Sequence, residues 1–257
     1  MGDVAVGGGS TYDGTTAEVL AKLVGAPRVA VYGEVASTMD VAHALAVEGA
    51  PAGTMVLADA QTAGRGRLGR TWQSQPDRGI WLTLIERPRD DDALEVLSLR
   101  LGIAAAGVLD AFAGEPVRLK WPNDLHLVRG KLAGILVEAR WRENRPEWLA
   151  VGFGLNVAPP DGVDAAGLLP GTRRLDVLAA LVPALHASCN MAGSLDAEEL
   201  RAFEARDLAR GRGCAEPVEG RVRGVSARGE LLVDTTRGPR SFRTGSLILT
   251  TDQGGAP

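Results

Sequence analysis

Residues 54–86 read TMVLADAQTAGRGRLGRTWQSQPDRGIWLTLIE. An apolar run, TMVLADAQ, enters a ten-residue stretch, AGRGRLGRTW, that carries Gly64, Gly66 and Gly69 between Arg65, Arg67 and Arg70. A second apolar run, GIWLTLIE, follows. The three glycines satisfy G-x-G-x-x-G after a strand, the spacing of a dinucleotide-binding turn. That turn needs a helix starting at its third glycine, because the helix N-terminus binds the pyrophosphate. Here RTWQSQPDRG follows instead, with Pro76 and no helical period. A kinase glycine loop is excluded as well, since no H-R-D or D-F-G stretch exists. The segment therefore reads as strand, loop, strand. Taken alone, its loop is either a solvated basic hairpin or a mobile segment that folds down around an anion.

Upstream, TTAEVLAKLVGA predicts a short helix ending at Gly25, after a glycine-rich first dozen residues expected to be mobile. RVAVYGEV alternates like a strand, and STMDVAHALAVEGA puts Ser37 and Asp40 at capping-box spacing before a helical pattern. Ser37 and Thr38 thus fall at a strand-to-helix turn. Downstream, DALEVLSLRLGIAAAGVLDAFAG predicts a buried helix ended by Gly114. Three strand candidates come next, VRLKWPNDLHLV, KLAGILVEARW and EWLAVGFGLNV, the first two joined by a tight turn at Arg129-Gly130. KWPND interrupts its strand with a proline and charges, which oppose sheet pairing, so the segment should bulge or end there. Such a break marks either an edge-strand interruption or a site. Gly134, Gly152 and Gly154 within strands suggest either bulges or close approach of a ligand to the backbone. From Arg173 the texture turns helical, and the tail from Glu216 consists of short alternating runs cut by glycines, the pattern of a small β-barrel of about five strands.

The expected architecture is α+β, a mixed sheet flanked by helices and followed by the β module. Its segments are 1–27 (mobile, with a short helix), 28–206 (the main domain) and 207–257. The chain has 257 residues, enough for a sizeable core, with 45% hydrophobic and 23% charged residues. A net charge of -4 provides no global basic field, so any nucleic-acid contact would be local. Aromatic residues at 4% are too few for the stacking platforms of an RNA-binding module. Two cysteines suit a reducing cytoplasm, and no His/Cys spacing resembles a metal site. The N-terminus lacks a signal-peptide pattern, and no run is expected to reach the ~20 apolar residues of a membrane span. His43, His126 and His186 are assigned no catalysis.

STMD, AQTAGRGRLGRTW, KWPND, KLAGILVE and VGFGLNV, in that order over residues 37–157, resemble the bacterial biotin protein ligases. The resemblance implies the class II synthetase-like biotin/lipoate ligase fold with a C-terminal SH3-like domain. It also implies a reaction in which biotin and ATP form biotinyl-5'-AMP, which then biotinylates one lysine of a carboxylase's carrier domain. Lys120 and Arg65 would be catalytic. Ser37, Thr38, Met39, Gln61, Arg65, Gly66, Arg67, Lys120 and Gly134 would surround biotin, with a Met39 side-chain contact in doubt because Asn or Gln is frequent there. Arg67, Arg70, Trp72, Asn123, Lys131 and Asn156 would surround ATP, Trp72 stacking on adenine. Mg²⁺ is implied with unknown ligands, since it binds chiefly through substrate phosphates. The implied type is monofunctional, a monomer or weak homodimer with no DNA or membrane partner. A lipoate protein ligase shares the adenylation logic but lacks the GRGR loop in this form. A biotin-responsive repressor would need a helix-turn-helix, for which residues 1–36 offer one helix.

Overall fold

The structure, a computed structural model, describes residues 11–87, 90–159 and 165–250. Helix α1 (Ala17–Val24) ends, as expected, on a left-handed Gly25, and β1 (Val29–Val35) leads into α2 (Thr38–Val47). The opening stretch forms β2 (Thr54–Gln61) and β3 (Gly79–Glu86), antiparallel neighbours joined by the arginine loop. Helix α3 (Asp91–Ala113) is stopped by a left-handed Gly114. Strands β4 (Arg118–Lys120), β5 (Asp124–Leu127), β6 (Gly130–Arg142) and β7 (Arg145–Asn156) follow, then helices α4 (Arg174–Cys189) and α5 (Ala197–Arg206).

The sheet order is β1-β2-β3-β7-β6-β5-β4, parallel between β1 and β2 and antiparallel elsewhere. β3 is an interior strand, between β2 and β7, and is buried throughout, which is why GIWLTLIE carries almost no charge. Helices cover both faces. Leu97, Leu101 and Leu109 of α3 with Leu178, Leu181 and Leu185 of α4 pack on Leu57, Leu82 and Leu84. On the other face, Met39, Ala42 and Leu45 of α2 pack on Val56, Ile85, Trp148 and Ala150. Each fully buried leucine contributes about 1.5–3 kcal/mol relative to exposure.

Four expectations change. VRLKWPNDLHLV is two short strands joined by a turn at Trp121–Asn123, so the proline ends a strand rather than interrupting one. Ser37 does cap α2 by accepting from the Met39 amide at 3.3 Å, but the Asp40 carboxylate turns to Arg65 and no capping box forms. α3 is long and apolar enough to cross a bilayer, contrary to the expectation for this chain. Over half of its apolar window is buried inside the fold, however, and it packs on α4 and β6 as a core helix does. Finally, residues 1–10 lie outside the described residues, but Tyr12 is not mobile: it is 1% exposed and donates its hydroxyl to the Gly79 carbonyl at 3.1 Å.

Tyr12 belongs to a hub no motif announced. The Arg174 guanidinium, at the start of α4, stacks 4.2 Å from the Tyr12 ring and pairs with Asp13, Asp59 and Asp77. Burial disfavours its charge, but the bonds to Asp13 and Asp59 outweigh this and raise its pKa. The hub ties the N-terminal segment to β2 and to the turn by which the arginine loop returns to β3.

His126 on β5 is half-buried, and its buried Nε2 has no partner among the described residues. Burial lowers its pKa to about 4, Lys120 and Lys131 adding to the effect and Asp124 opposing it. The unfolded chain, titrating near the ordinary value of 6.5, therefore takes up this proton first. The sign follows: the contribution is fully present above pH 6.5 and is lost as pH falls from 6.5 to about 4. At ~1.4 kcal/mol per unit of difference the loss is on the order of 3 kcal/mol. Urea unfolding at pH 7 and pH 5 checks this, and His126→Gln is expected to flatten the dependence.

The C-terminal strands β8 (Gly213–Glu216), β9 (Gly220–Val225), β10 (Leu231–Thr235), β11 (Gly238–Phe242) and β12 (Ile248–Leu249) form one antiparallel sheet in the order β11-β10-β9-β8-β12. This five-stranded sheet is the small β module expected from the tail, with no pairing between β11 and β12 among the described residues. Trp121 donates its indole N–H to the Gly229 carbonyl at 3.0 Å, and Arg228 and Arg243 both reach Glu95 of α3. These contacts seat the module on the main sheet's domain.

Candidate functional site

One cavity of about 420 Å³ opens between the start of α2, the arginine loop, the β4–β5 turn and the glycine-bearing part of β6 and β7. Every residue assigned to biotin or ATP by the resemblance lines it: Ser37, Thr38, Met39, Gln61, Arg65, Gly66, Arg67, Arg70, Trp72, Lys120, Asn123, Lys131, Gly134 and Asn156. Sequence reasoning missed the segment Gly245–Ile248, which closes the cavity from the C-terminal module. It carries no motif and begins 89 residues after Asn156.

One end of the cavity is a ladder of neutral donors and acceptors. The Thr38 amide and hydroxyl both donate to Gln61 Oε1, at 2.9 and 3.1 Å. Gln61 Nε2 donates to Ser74 Oγ at 2.8 Å, and the Thr83 hydroxyl donates to Thr38 Oγ1 at 2.8 Å. The ladder forms because α2 starts directly above the end of β2. Beside it the Met39 side chain lies across Gly152: a Cβ there would fall 2.7 Å from Met39 Sδ. Met39 is thus an apolar wall of the cavity.

The loop is a hydrogen-bonded hairpin. Gly66 donates to the Arg70 carbonyl at 2.7 Å and Trp72 to the Gly64 carbonyl at 2.9 Å, across a 3₁₀ turn at Arg67–Gly69 in which Leu68 takes a positive φ of 56°. Its three arginines go separate ways. Arg65 Nη1 pairs with Asp40 at 2.6 Å, Arg67 Nη1 lies 3.5 Å from Asn123 Oδ1, and Arg70 Nη2 lies 3.4 Å from Ser246 Oγ. Burial lowers the pKa of Arg67, with Asp124 opposing.

Lys120, at the end of β4, is half-buried, and desolvation lowers its pKa, opposed by Asp124 and reinforced by Lys131, Arg70 and Arg212. Lys131 Nζ pairs with Asp124 at 2.7 Å. Asn123 locks the turn by donating to the Ile135 carbonyl at 2.6 Å, and Asn156 donates to the Lys131 carbonyl at 3.3 Å. Arg65, Arg67, Arg70, Lys120 and Lys131 thus line the cavity with Asp124, the one carboxylate among the described lining residues. That imbalance suits a polyanion.

Trp72 changes the reading of two glycines. Gly134 and Gly154 are cross-strand partners, and a Cβ on them would lie 3.0 and 2.7 Å from the indole. The close approach those glycines permit is that of a tryptophan from the same chain. Lys131 Nζ sits 5.0 Å from the ring centroid, and the buried indole Nε1 lacks a partner among the described residues. Gly154→Ala is expected to dislodge Trp72 and to cost about 1–3 kcal/mol by overpacking. Thermal unfolding measures the cost, and a changed tryptophan emission reports the displacement.

Residues 32–156 match the model of the biotin/lipoate A/B protein ligase family. The chain is 44% identical over 126 residues to the bifunctional ligase/repressor BirA of Bacillus spizizenii, covering 48% of this chain and 38% of that protein. It is 40% identical over 119 residues to the biotin--[acetyl-CoA-carboxylase] ligase of Paracoccus denitrificans, covering 45% and 48% respectively. The aligned part thus spans less than half the length of each relative. The fold extends further: a biotin protein ligase from Aquifex aeolicus in complex with biotin and ATP superposes with a TM-score of 0.73 at 28% identity, covering 87% of this chain and 99% of that one. The mixed sheet with flanking helices is the biotin protein ligase fold, and residues 32–156 are similar to the biotin/lipoate A/B protein ligase family.

Proposed function

We propose that the chain is an ATP-dependent biotin protein ligase. The observation that carries this reading is the junction, within one cavity, of Ser37, Thr38 and Gln61, whose neutral ladder Ser74 supports from outside, with a group of five cations. A ureido ring is a compact donor and acceptor array on an apolar bicycle, which asks for short hydroxyls, an amide and apolar walls. The cations face the other requirement, a carboxylate brought against a triphosphate.

In the first step a carboxylate oxygen of biotin attacks the α-phosphorus of ATP, forming biotinyl-5'-AMP and releasing pyrophosphate. In the second, the neutral amine of a carrier-domain lysine attacks the acyl carbon; an amide forms, AMP leaves and the amine gives up a proton. Ser37, Thr38, Met39, Gln61, Gly66 and Gly134 are proposed around biotin. Arg67, Arg70, Trp72, Asn123, Lys131 and Asn156 are proposed around the nucleotide, with Arg65 and Lys120 at the reacting anions. Among the described residues no three His, Cys, Asp or Glu side chains cluster to hold a metal ion, and Asp124 is occupied by Lys131. This fits Mg²⁺ carried by the nucleotide's phosphates, where it would offset their charge, with at most Asp124 and Asn123 contributing.

We further propose residues 28–206 as the catalytic domain and 207–257 as an SH3-like domain that completes the cavity through Gly245–Ile248. The acceptor is a biotin carboxyl carrier domain, the enzyme a monomer or weak homodimer, and its two buried free thiols suit the cytoplasm. The test is exchange of labelled pyrophosphate into ATP. Exchange that depends on biotin and not on lipoate is expected. Exchange with lipoate alone would make the chain a lipoate ligase, and none with either acid would overturn adenylation.

A further inference from the structure

We infer that Asp40 and Glu138 form a resting site for the Arg65 guanidinium, in competition with the anionic ligand, and so set the affinity of the biotin end of the cavity. This rests on the proposed ligase reading. Arg65 lines the cavity, whereas neither carboxylate does. Its guanidinium is turned onto both: Nη1 lies 2.6 Å from Asp40 Oδ1, and Nη2 lies 3.6 Å from Glu138 Oε2.

The pair is built into the fold on the Glu138 side. Glu138 Oε2 also bonds His43 Nε2 at 3.0 Å, and His43 Nδ1 lies 3.0 Å from the indole Nε1 of Trp148. An indole N–H can only donate, so Nδ1 must accept and Nε2 must carry the proton that it gives to Glu138. Trp148 is 5% exposed and packs under α2. Glu138 is therefore held by a relay running from the core through α2 to the end of the arginine loop. The backbone of Arg65 is meanwhile fixed by its bridge to Thr71, so the choice of partner lies with its side chain.

The electrostatic sign of this arrangement discriminates it from a supporting role. Two carboxylates over-neutralise one guanidinium, and they repel an arriving carboxylate or phosphate while occupying the cation it needs. Removing their charge should tighten ligand binding, whereas removing a structural support should weaken it.

The experiment compares wild type with Asp40→Asn, Glu138→Gln and the double variant in biotin-dependent pyrophosphate exchange. The KM for biotin is expected to fall about two- to fivefold in the double variant, the worth of an exposed ion pair, with kcat unchanged and the thermal midpoint lowered by at most about 4 °C. Asp40→Glu, which keeps the charge, should retain the wild-type KM. An unchanged or raised KM in the double variant, with an active wild type, overturns the resting site alone. Absence of exchange in wild type overturns the proposed function and this inference with it.

Discussion

Lys120→Ala is expected to lower biotin-dependent pyrophosphate exchange by about 10²- to 10³-fold, the usual cost of removing a preorganised electrostatic partner at a reacting anion. In the proposed first step a carboxylate must meet a phosphate, two anions that repel by ~4 kcal/mol at 4 Å if the effective dielectric is about 20. Lys120 suits the task of offsetting that charge. It stands at the end of β4, where the Trp121–Asn123 turn presents it to the cavity, and it is half-buried, so its charge acts through little solvent. Arg67, Arg70 and Lys131 remain in the variant and can hold the triphosphate, so the loss should fall on kcat more than on KM for ATP. Lys120→Arg should recover only part of the rate, because a planar fork replaces a compact ammonium. Thermal unfolding close to wild type would show that the loss is chemical. An unchanged exchange rate in a folded Lys120→Ala protein would remove Lys120 from the reaction.

Arg174→Met is expected to destabilise the chain by about 3–5 kcal/mol, because it strands charges that the fold has gathered around a buried guanidinium. Arg174 is 6% exposed and is shared by Asp13, Asp59 and Asp77, three carboxylates from separate segments. Without it they face one another with the Tyr12 ring on one side. Pairing the variant with Asp59→Asn, which removes one stranded charge, should restore part of the stability, and urea titration of the two proteins measures the difference. The consequence for the site is indirect. Asp77 sits in the turn that brings the loop back to β3, and Ser74, three residues earlier, holds Gln61. A loosened turn should therefore raise KM for biotin before it alters KM for ATP.

Much of the fold was legible because local signals agreed with the tertiary outcome. Gly25 and Gly114 end helices since only a left-handed residue closes them without strain, and both stand where the apolar periodicity stops. The unbroken apolar run of β3 reads as a strand covered on both faces, and that is its place in the sheet. KWPND was legible as a break, and of the two expected forms, a bulge or an end, the structure takes the second: the proline ends β4 and lets β5 begin. The length of α3 misleads for a related reason: a core helix and a membrane span obey the same composition rule, and only the surroundings separate them.

By itself the sequence determined the order of helices and strands and the arginine loop as a strand-to-strand connection rather than a dinucleotide turn, because periodicity, proline and glycine act over a few bonds. Which residues meet in one cavity was legible only through the family resemblance of the motifs. Tertiary structure alone decided who pairs with whom. Arg65 faces Asp40 and Glu138, Trp72 lies on Gly134 and Gly154, Arg174 collects three aspartates, and Gly245–Ile248 closes the cavity. A charge or a flat ring takes whichever complementary group packing brings within a few ångströms. In this chain packing drew those groups from segments 25 to 176 residues apart, well beyond the reach of any local pattern.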